Sequence, residues 1–210
     1  AGCSDGVHGQ YRLWLDGRPC DVIAPFRGDY GTENCIAVAA AAHMLGLTAE
    51  EIAAGFADAQ LPPQRFARSR RGNWDIVDDT YNASPDSMKA AIGVLSSLPA
   101  GRRIAVLADM KELGENTIQF HREVGAFLAE KPVDILVVYG ELAQAIAEGA
   151  KKVKPDLHVV SFEEDEKEDM LDWLDAQIGE GDAVLFKGSN SMKLGETAAR
   201  FISVEKTPTS

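Results

Sequence analysis

Near the amino terminus, apolar and polar residues alternate along the chain. Between Gln10 and Asp16 every second residue is apolar, which predicts a strand with one buried face. The pair Asp16-Gly17 is a turn signal, and the run over Arg18–Ala24 follows it directly. The two runs therefore predict a β-hairpin near the amino terminus.

Helical signals follow the hairpin. The Ala-rich apolar stretch Thr32–Leu45 predicts a helix that ends at Gly46. Thr48 and Glu51 have the spacing of a capping box, which predicts the start of a second helix. The prolines of the stretch Gln60–Arg65 end that helix, because proline lacks a backbone donor and fixes φ. This stretch is the candidate domain boundary.

Beyond the boundary, strands and helices alternate, and Arg70–Asn73 is predicted to be only the turn before the first strand. The predicted strands are Trp74–Thr80, Arg103–Ala108, Asp134–Tyr139, Leu157–Ser161 and Ala183–Phe186. The predicted helices are Ser84–Leu98, Thr117–Glu130, Glu141–Lys152, Glu163–Ile178 and Ser191–Ile202. This rhythm predicts an α/β fold, a mostly parallel sheet with helices on both faces. Ligands of such sheets bind outside the carboxyl ends of the strands.

Composition narrows the function classes. The 210 residues carry a formal net charge of −12, which argues against a general nucleic-acid surface because phosphate backbones demand an excess of Lys and Arg. The three cysteines have no C-x-x-C spacing, and the four histidines form no H-x-x-x-H pair, so neither a disulfide framework nor a metal site is predicted. No apolar run approaches the roughly 18–20 residues of a membrane span, and no signal peptide is visible. A reducing cytoplasm is the expected location.

Three loops that follow predicted strands contain candidate chemistry. Asp78–Asp86 places two carboxylates at a strand end and a helix start a few residues later, so it is either a ribose-binding loop or an ordinary capped βα loop. Phe186–Lys193 combines a lysine with a glycine and two serines, so it is either an anion site or an ordinary Gly-containing loop. Leu107–Gly114 has too few carboxylates for a metal and is interpreted as structural. The sequence contains no Gly-Lys dipeptide and hence no P-loop to hold a triphosphate.

Read in order, these loops resemble motifs of the Mur ligases, and in particular of those that add D-alanyl-D-alanine. The first loop reads D-D-T-Y-N-A-S-P-D-S-M, against the family's D-D-T-Y-N-A-N-P-D-S-M. The loop Leu107–Gly114 reads L-A-D-M-K-E-L-G and is followed by H-R-E-V-G, against the family's L-G-D-M-x-E-L-G and H-x-x-V-G. The loop Phe186–Lys193 contains K-G-S-N-S-M, against the family's K-G-S-R-S-M. Upstream, Gly28–Ala42 resembles the family's G-x-H-N-x-x-N-x-x-A-A-A helix, and P-P-Q-R resembles its P-x-G-R linker.

The resemblance implies a three-domain enzyme of which this chain is the carboxy-terminal part. Residues 1–64 would be the tail of the central ATPase domain, a small α+β remnant, and residues 65–210 the carboxy-terminal Rossmann-like domain. The intact enzyme uses ATP and Mg²⁺ to activate the carboxylate of UDP-N-acetylmuramoyl-tripeptide as an acyl phosphate, which D-alanyl-D-alanine then attacks. Because the P-loop and metal ligands belong to the missing domains, the fragment is expected to be inactive alone.

The resemblance also assigns site residues. Asn34 would flank the adenine, Arg65 would contact ribose or phosphate, and Asp79 would bind the ribose. The full ATP-binding set is Asn34, Arg65, Asp79, Tyr81 and Asn82. The set near the amino-acid substrate is Lys187, Ser189 and Ser191. No catalytic residue and no metal ligand is assigned to this chain.

Several positions depart from the family pattern. Tyr30-Gly31 replaces a His-Asn pair, Gln64 replaces Gly, Ser84 replaces Asn and Asn190 replaces Arg. These changes bear on the fine geometry of the nucleotide pocket and leave the expected fold unchanged. Two alternatives stay open: a non-catalytic α/β module that binds a nucleotide or a protein partner, and another Mur or folylpolyglutamate-type ligase. The D-D-T-Y-N-A spelling favours the ligase that adds D-alanyl-D-alanine.

Overall fold

The structure is a computed structural model that describes residues 9–25, 29–60, 62–71 and 74–203. The chain divides between Pro62 and Pro63 into two compact units. Gly28, the first residue of the Asn-containing helix motif, lies outside the described residues, as does the side chain of Tyr30. Cys3 and His8 also lie outside them.

The first unit consists of a hairpin and two helices. Strands β1 (Gly9–Leu15) and β2 (Arg18–Ala24) pair antiparallel, as predicted. Asp16 and Gly17 both have positive φ, 47° and 76°, as a two-residue turn matching the strand twist requires. Helices α1 (Asp29–Met44) and α2 (Ala49–Asp58) follow. The shared core is Leu13, Cys20, Val22, Ala24, Cys35, Ala39, Ile52 and Phe56.

Local sequence signals set the helix limits in this unit. Gly46 adopts a φ of +91° just after α1, the left-handed conformation that ends many helices. The backbone N–H of Thr48 donates to Glu51 Oε2 over 2.8 Å, and the N–H of Glu51 donates to Thr48 Oγ1 over 3.2 Å. The predicted capping box at the start of α2 is therefore confirmed.

The second unit is a six-stranded sheet covered by five helices, and it confirms the predicted α/β class. Its strands are β3 (Ala67–Arg71), β4 (Trp74–Asp79), β5 (Arg102–Ala108), β6 (Ile135–Tyr139), β7 (His158–Phe162) and β8 (Asp182–Lys187). Its helices are α3 (Pro85–Ser97), α4 (Thr117–Ala129), α5 (Gln144–Val153), α6 (Lys167–Gln177) and α7 (Leu194–Ser203). The strand order is β3-β4-β8-β5-β6-β7, and only β3 runs antiparallel to its neighbour.

Helices cover both faces of this sheet. Buried residues of α3, α4 and α5 form one core with the sheet, whereas those of α6 and α7 form the other. The chain passes from β4 to β5, β6 and β7 in one direction and then returns to β8. Because crossover connections between parallel strands are right-handed, the return places α6 on the opposite face.

Four sequence predictions about this unit were wrong, the first being the start of α5 at Glu141, since this helix begins at Gln144. Arg70 and Arg71 belong to strand β3 and are not merely a turn; Arg68 of this strand forms an ion pair with Asp75, 2.8 Å between Nη2 and Oδ1, with both side chains buried. Helix α6 begins at Lys167 instead of Glu163, because residues 163–166 form a turn closed by the Glu163 N–H on Glu166 Oε2. The last predicted helix is divided into a 3₁₀ turn over Asn190–Met192 and α7.

Across the described residues, no helix is both long enough and apolar enough to span a membrane.

Candidate functional site

Strand β8 marks the point where the connections of the sheet change direction. It lies between β4 and β5. The helices that follow β4 and β5 cover one face, and the helix that follows β8 covers the other. The chain therefore turns to opposite faces of the sheet after these strands, and open α/β sheets bind ligands in the crevice outside the carboxyl ends of such strands. We call this edge, between the ends of β4 and β8, the β4–β8 crevice.

Asp79 and Lys187 form an ion pair at this crevice. They are the last residues of β4 and β8 and are partners in the parallel register. Lys187 Nζ lies 2.6 Å from Asp79 Oδ2 and 3.0 Å from the carbonyl oxygen of Asn82. A longer contact of 3.4 Å reaches the carbonyl oxygen of Asp79. The side chain of Lys187 is only 2% exposed, whereas that of Asp79 is 18% exposed.

A second donor fixes the Asp79 carboxylate. The backbone N–H of Phe66 donates to Asp79 Oδ1 over 3.0 Å, so each carboxylate oxygen accepts one hydrogen bond from the protein. Phe66 and Gln64 have positive φ values of 52° and 63°. For residues other than glycine this left-handed conformation costs roughly 1–2 kcal/mol. Gln64 thus retains, at some cost, a backbone conformation for which the family's glycine is better suited.

Burial and the neighbouring charges have opposite effects on the pKa values of Asp79 and Lys187. Burial raises the pKa of the Asp79 carboxyl, and the Lys187 ammonium, the Phe66 N–H and Arg65 offset part of that rise. Burial likewise lowers the pKa of the Lys187 ammonium, against the attraction of Asp79. Each member thus offsets part of the cost of burying the charge of the other.

Asp78, the neighbouring carboxylate, has a structural role. It is buried, and its Oδ1 accepts from Thr80 Oγ1 over 2.6 Å and from the Thr80 N–H over 3.2 Å. Burial is the main reason that its pKa is raised. Of the two carboxylates at this strand end, Asp79 is therefore the more exposed one.

Arg65 and Tyr81 border the crevice as a stacked pair. The guanidinium carbon of Arg65 lies 4.0 Å from the centre of the Tyr81 ring, within the range of a cation–π contact. The Tyr81 N–H donates to the carbonyl oxygen of Gln64 over 3.0 Å, which ties the two segments together. The Asn82 side chain is exposed, and its Oδ1 accepts from the Ala83 N–H over 2.8 Å. The ring, the guanidinium and the Asp79 carboxylate are thus brought together by two backbone segments, residues 64–66 and 79–82.

The loop after β8 contacts the loop after β5. Ser189 is buried, its Oγ accepts from the Lys111 N–H over 2.8 Å, and its own N–H donates to the carbonyl oxygen of Asp109 over 2.9 Å. Ser191 is exposed in the 3₁₀ turn. Lys193 ends that turn with a left-handed φ of 54°. Ser189 therefore links two loops, while Ser191 faces solvent.

The loop after β5 is held by buried polar contacts. Asp109 Oδ1 accepts from the Ala143 N–H over 2.7 Å, and Asp109 Oδ2 lies 2.7 Å from Lys111 Nζ. His121 is buried; its Nε2 accepts from the Met110 N–H over 2.9 Å, and its Nδ1 lies 2.7 Å from the carbonyl oxygen of Thr117. These contacts fit the structural reading of the loop and account for His121 without a metal. Among the described residues, no group of three or more His, Cys, Asp or Glu side chains is arranged to hold a metal ion.

The carboxy-terminal unit matches a known family. Residues 64–190, more than half of the chain, match the profile described as "Mur ligase, glutamate ligase domain". The chain belongs to the Mur ligase family. The loops that predicted this membership are the ones that converge on the β4–β8 crevice.

Individual Mur ligases resemble the chain over most of its length. A UDP-N-acetylmuramoyl-tripeptide–D-alanyl-D-alanine ligase of Bacillus subtilis is 37% identical in an alignment of 180 residues that covers 82% of this chain and 38% of that protein. The ligase of the same name from Haemophilus influenzae is 34% identical, over 83% of this chain and 37% of that protein. The chain therefore spans well under half the length of these relatives.

Solved Mur ligases share the fold. A crystal structure of MurF from Acinetobacter baumannii superposes with a TM-score of 0.80 and 30% identity, over 94% of this chain and 42% of that chain. The MurF ligase of Thermotoga maritima, solved in complex with ADP, superposes with a TM-score of 0.74 and 28% identity, over 93% of this chain and 43% of that chain. The predicted family and Rossmann-like fold class are confirmed.

The predicted site residues fall into three groups. The first group lies together at the crevice and consists of Arg65, Asp79, Tyr81 and Asn82, with Lys187 in contact with Asp79. Ser189 and Ser191 follow in the next loop. Asn34 lies on α1, in the first unit, with an exposed side chain.

The sequence reading missed the backbone donor of Phe66, the brace between Asp78 and Thr80, and the link from Ser189 to Lys111. The Asp-x-Thr spacing of Asp78 and Thr80 is the one available signal, since an Asp side chain often bonds the backbone two residues on.

One departure from the family pattern keeps its local role. Ser84 accepts the Ser87 N–H over 3.4 Å, and the Ser84 N–H donates to Ser87 Oγ over 2.9 Å, as a capping box. Serine and asparagine are about equally good at this helix position. Pro85 follows as the first residue of α3, where its missing donor does no harm.

Proposed function

We propose that the chain is the carboxy-terminal part of an ATP-dependent ligase that adds D-alanyl-D-alanine to UDP-N-acetylmuramoyl-tripeptide through an acyl phosphate. The observation that carries this proposal is the match to relatives of that name, 37% identical in the Bacillus subtilis case, over 82% of this chain. Since the chain spans 38% of that relative, the remaining parts of the enzyme supply the rest of the activity. The reaction takes place in the cytoplasm, where such precursors are made.

The β4–β8 crevice is the nucleotide side of this proposal. Asp79 keeps a free lone pair on each carboxylate oxygen after accepting from Phe66 and Lys187, so it can accept hydrogen bonds from a ribose diol. Arg65 adds a positive charge for phosphate, and Tyr81 and Asn82 border the pocket. The ADP complex of the Thermotoga maritima relative supports nucleotide use in a protein of this fold.

ATP and Mg²⁺ are proposed as cofactors of the intact enzyme. The sequence lacks a P-loop, so the triphosphate and the metal are held by parts of the enzyme outside this chain. Ser189 and Ser191 are proposed to lie on the side of the incoming dipeptide, because Ser189 contacts the loop after β5, which is on the opposite side of β8 from the Asp79 loop. The acyl phosphate and the attacking amine would meet between these parts.

Residues 1–64 are proposed to be the tail of the central ATPase domain, with Asn34 beside the adenine. A two-stranded sheet with two helices is small for a domain of its own, because so few residues bury little apolar surface. Large apolar side chains on and after α1 are also exposed, namely Ile36, Val38, Met44 and Leu45. Both observations fit a unit that is completed by preceding residues of a longer enzyme.

The test compares the full-length product of the gene with the 210-residue chain. Each is incubated with ATP, Mg²⁺, UDP-N-acetylmuramoyl-tripeptide and D-alanyl-D-alanine, and the pentapeptide product and ADP are measured by chromatography. We expect product from the full-length protein and none from the 210-residue chain. A matched reaction without D-alanyl-D-alanine controls for ATP hydrolysis that is not coupled to ligation.

Other outcomes would favour the alternatives. Product formed only when a single amino acid or a glutamate replaces the dipeptide would point to another Mur or folylpolyglutamate-type ligase. A full-length protein that binds ADP but joins none of these acceptors would point to a non-catalytic binding module. Product from the 210-residue chain alone would contradict the proposed dependence on the missing parts.

A further inference from the structure

The ammonium of Lys187 has no donor left for a substrate. An ammonium group carries three N–H bonds, and three acceptors surround Lys187 Nζ: Asp79 Oδ2 at 2.6 Å, the Asn82 carbonyl oxygen at 3.0 Å and the Asp79 carbonyl oxygen at 3.4 Å. The side chain is also 2% exposed. An incoming carboxylate would have to displace one of these acceptors and reach a buried atom, so a direct role in binding the dipeptide fits the geometry poorly.

All three acceptors belong to the loop on the nucleotide side. Asp79 ends β4, and Asn82 lies three residues later, before α3 begins at Pro85. Lys187 therefore holds both the side chain that faces the crevice and the backbone of the loop that carries Tyr81. The N–H of Phe66 contacts the other oxygen of Asp79, so the carboxylate is held from two directions.

We propose that Lys187 is a positioning residue for the nucleotide: it orients the Asp79 carboxylate and the 79–82 loop for the ribose and does not bind the amino-acid substrate. This inference rests on the proposed function and refines one of its residue assignments. Preorganisation of this kind lowers the cost of binding, because the ligand does not have to order the groups that receive it.

The main test is Lys187→Met in the full-length protein. We expect the apparent KM for ATP and the Kd for ADP to rise at least about tenfold, as for a hydrogen bond to a charged group that is lost. The KM for D-alanyl-D-alanine should change less than about twofold, since no contact to that substrate is removed. Calorimetric titration with ADP gives the Kd, and circular dichroism checks the fold.

A matched control and a double variant isolate the mechanism. Lys193→Met removes an exposed lysine from the same loop and should leave the KM for ATP unchanged. In an Asp79→Asn background, Lys187→Met should weaken ADP binding little further, because the carboxylate that it orients is already gone. The double variant also avoids an unpaired buried charge, so it can be measured even if Lys187→Met alone fails to fold. Lys187→Arg keeps the charge and should restore part of the ADP affinity.

Several results would overturn the inference. A raised KM for D-alanyl-D-alanine with an unchanged KM for ATP would assign Lys187 to the acceptor substrate instead. A folded Lys187→Met protein with unchanged ADP affinity would reduce the lysine to a purely structural role. Fully additive losses in the double variant would show that it does not act through Asp79. Failure of the wild-type protein to ligate would count against the proposed function, while the ADP titrations would still decide the role of Lys187.

Discussion

Two Asp–Lys pairs lie at the carboxyl edge of the same sheet, and the fold buries opposite members of them. In the first pair Lys187 is 2% exposed and Asp79 is 18% exposed, with 2.6 Å between Nζ and Oδ2. In the second pair Asp109 is 0% exposed and Lys111 is 37% exposed, with 2.7 Å between the corresponding atoms. The same two residue types thus present a carboxylate to the crevice at one strand end and an ammonium to solvent at another.

The two pairs also differ in what else their carboxylates contact. The second carboxylate oxygen of Asp109 accepts a hydrogen bond from the Ala143 N–H, just before α5. The Asp109 carboxylate therefore also holds the loop after β6. Lys111 also reaches Glu164 at 3.3 Å, which links the loop after β7. The Asp109 pair therefore joins neighbouring loops, and the Asp79 pair leaves the carboxylate accessible. The buried member of each pair, Lys187 or Asp109, therefore determines whether the carboxylate or the ammonium is exposed.

The largest expected effect comes from crowding the structural pair with Gly140→Ala. Gly140 has a φ of +111°, and a Cβ there would lie 2.5 Å from Asp109 Oδ1 and 2.8 Å from the Met192 methyl. Backbone strain and overpacking together should lower the free energy of unfolding by roughly 3–5 kcal/mol. Urea denaturation followed by circular dichroism measures this loss.

Gly195→Ala is the matched control on the other side. A Cβ at Gly195 would meet the side-chain amide of Gln64 and, at 2.9 Å, Thr80 Oγ1. The end of the half-exposed Gln64 side chain can move aside, and alanine is favoured over glycine within a helix, so only the contact with the buried Thr80 has to be relieved and the loss should stay below about 1–2 kcal/mol. Equal losses for the two variants would mean that the Asp109 pair is no more tightly constrained than the crevice.

The next effect separates the two lysines. Lys111→Met removes the ammonium that offsets a fully buried carboxylate, so we expect the free energy of unfolding to fall by about 2–3 kcal/mol. Lys187→Met should cost less stability, because the partly exposed Asp79 carboxylate can be rehydrated. Denaturation and ADP titration of both variants give the comparison: Lys111→Met should keep its ADP affinity. A loss of ADP affinity in Lys111→Met as large as in Lys187→Met would remove the distinction between the pairs.

The alternation of strand and helix patterns along the sequence predicted most elements of the second unit but missed two features. Strand β3 was not predicted because three of its five residues are arginines, and one of them is buried in an ion pair with Asp75. The final helix was predicted as continuous, whereas the left-handed φ of Lys193 interrupts it. Both failures have the same origin: a polar side chain or an unusual φ that only tertiary contacts stabilise.

The site was predicted in pieces whose assembly the sequence does not contain. The Asp79 and Lys187 loops were each identified as candidate binding loops. Their pairing depends on β8 lying between β4 and β5, and hydrophobic periodicity carries no information on strand order. The resemblance to the Mur ligases assigns Lys187 to the amino-acid substrate, whereas the burial of its side chain against Asp79 depends on the neighbouring strand and is not visible in the loop sequence.

The smallest expected effect is a pH dependence confined to the structural side. Burial lowers the pKa of His121, against the pull of the Thr117 carbonyl and Asp109, while Lys111 lowers it further. The ring accepts the Met110 N–H at Nε2, so protonation there would break the bond that holds the loop. Because the folded protein binds this proton less readily than the unfolded chain, the contribution of His121 to stability is complete above about pH 6.5. It is lost as the pH falls from there through the lowered pKa of the folded state.

Urea denaturation between about pH 5 and pH 7.5 of the wild type and of His121→Gln measures this contribution as a difference in slope. The variant should lose the part of the slope that His121 causes, and His158→Gln, at the edge strand β7, should keep it. Neither the change in pH nor the His121→Gln substitution should alter the affinity for ADP, because the bond between Met110 and His121 holds the loop of Asp109 and not that of Asp79. An identical slope in all three proteins, or an ADP affinity that falls with His121 protonation, would show that the two sides of the edge are coupled through this loop.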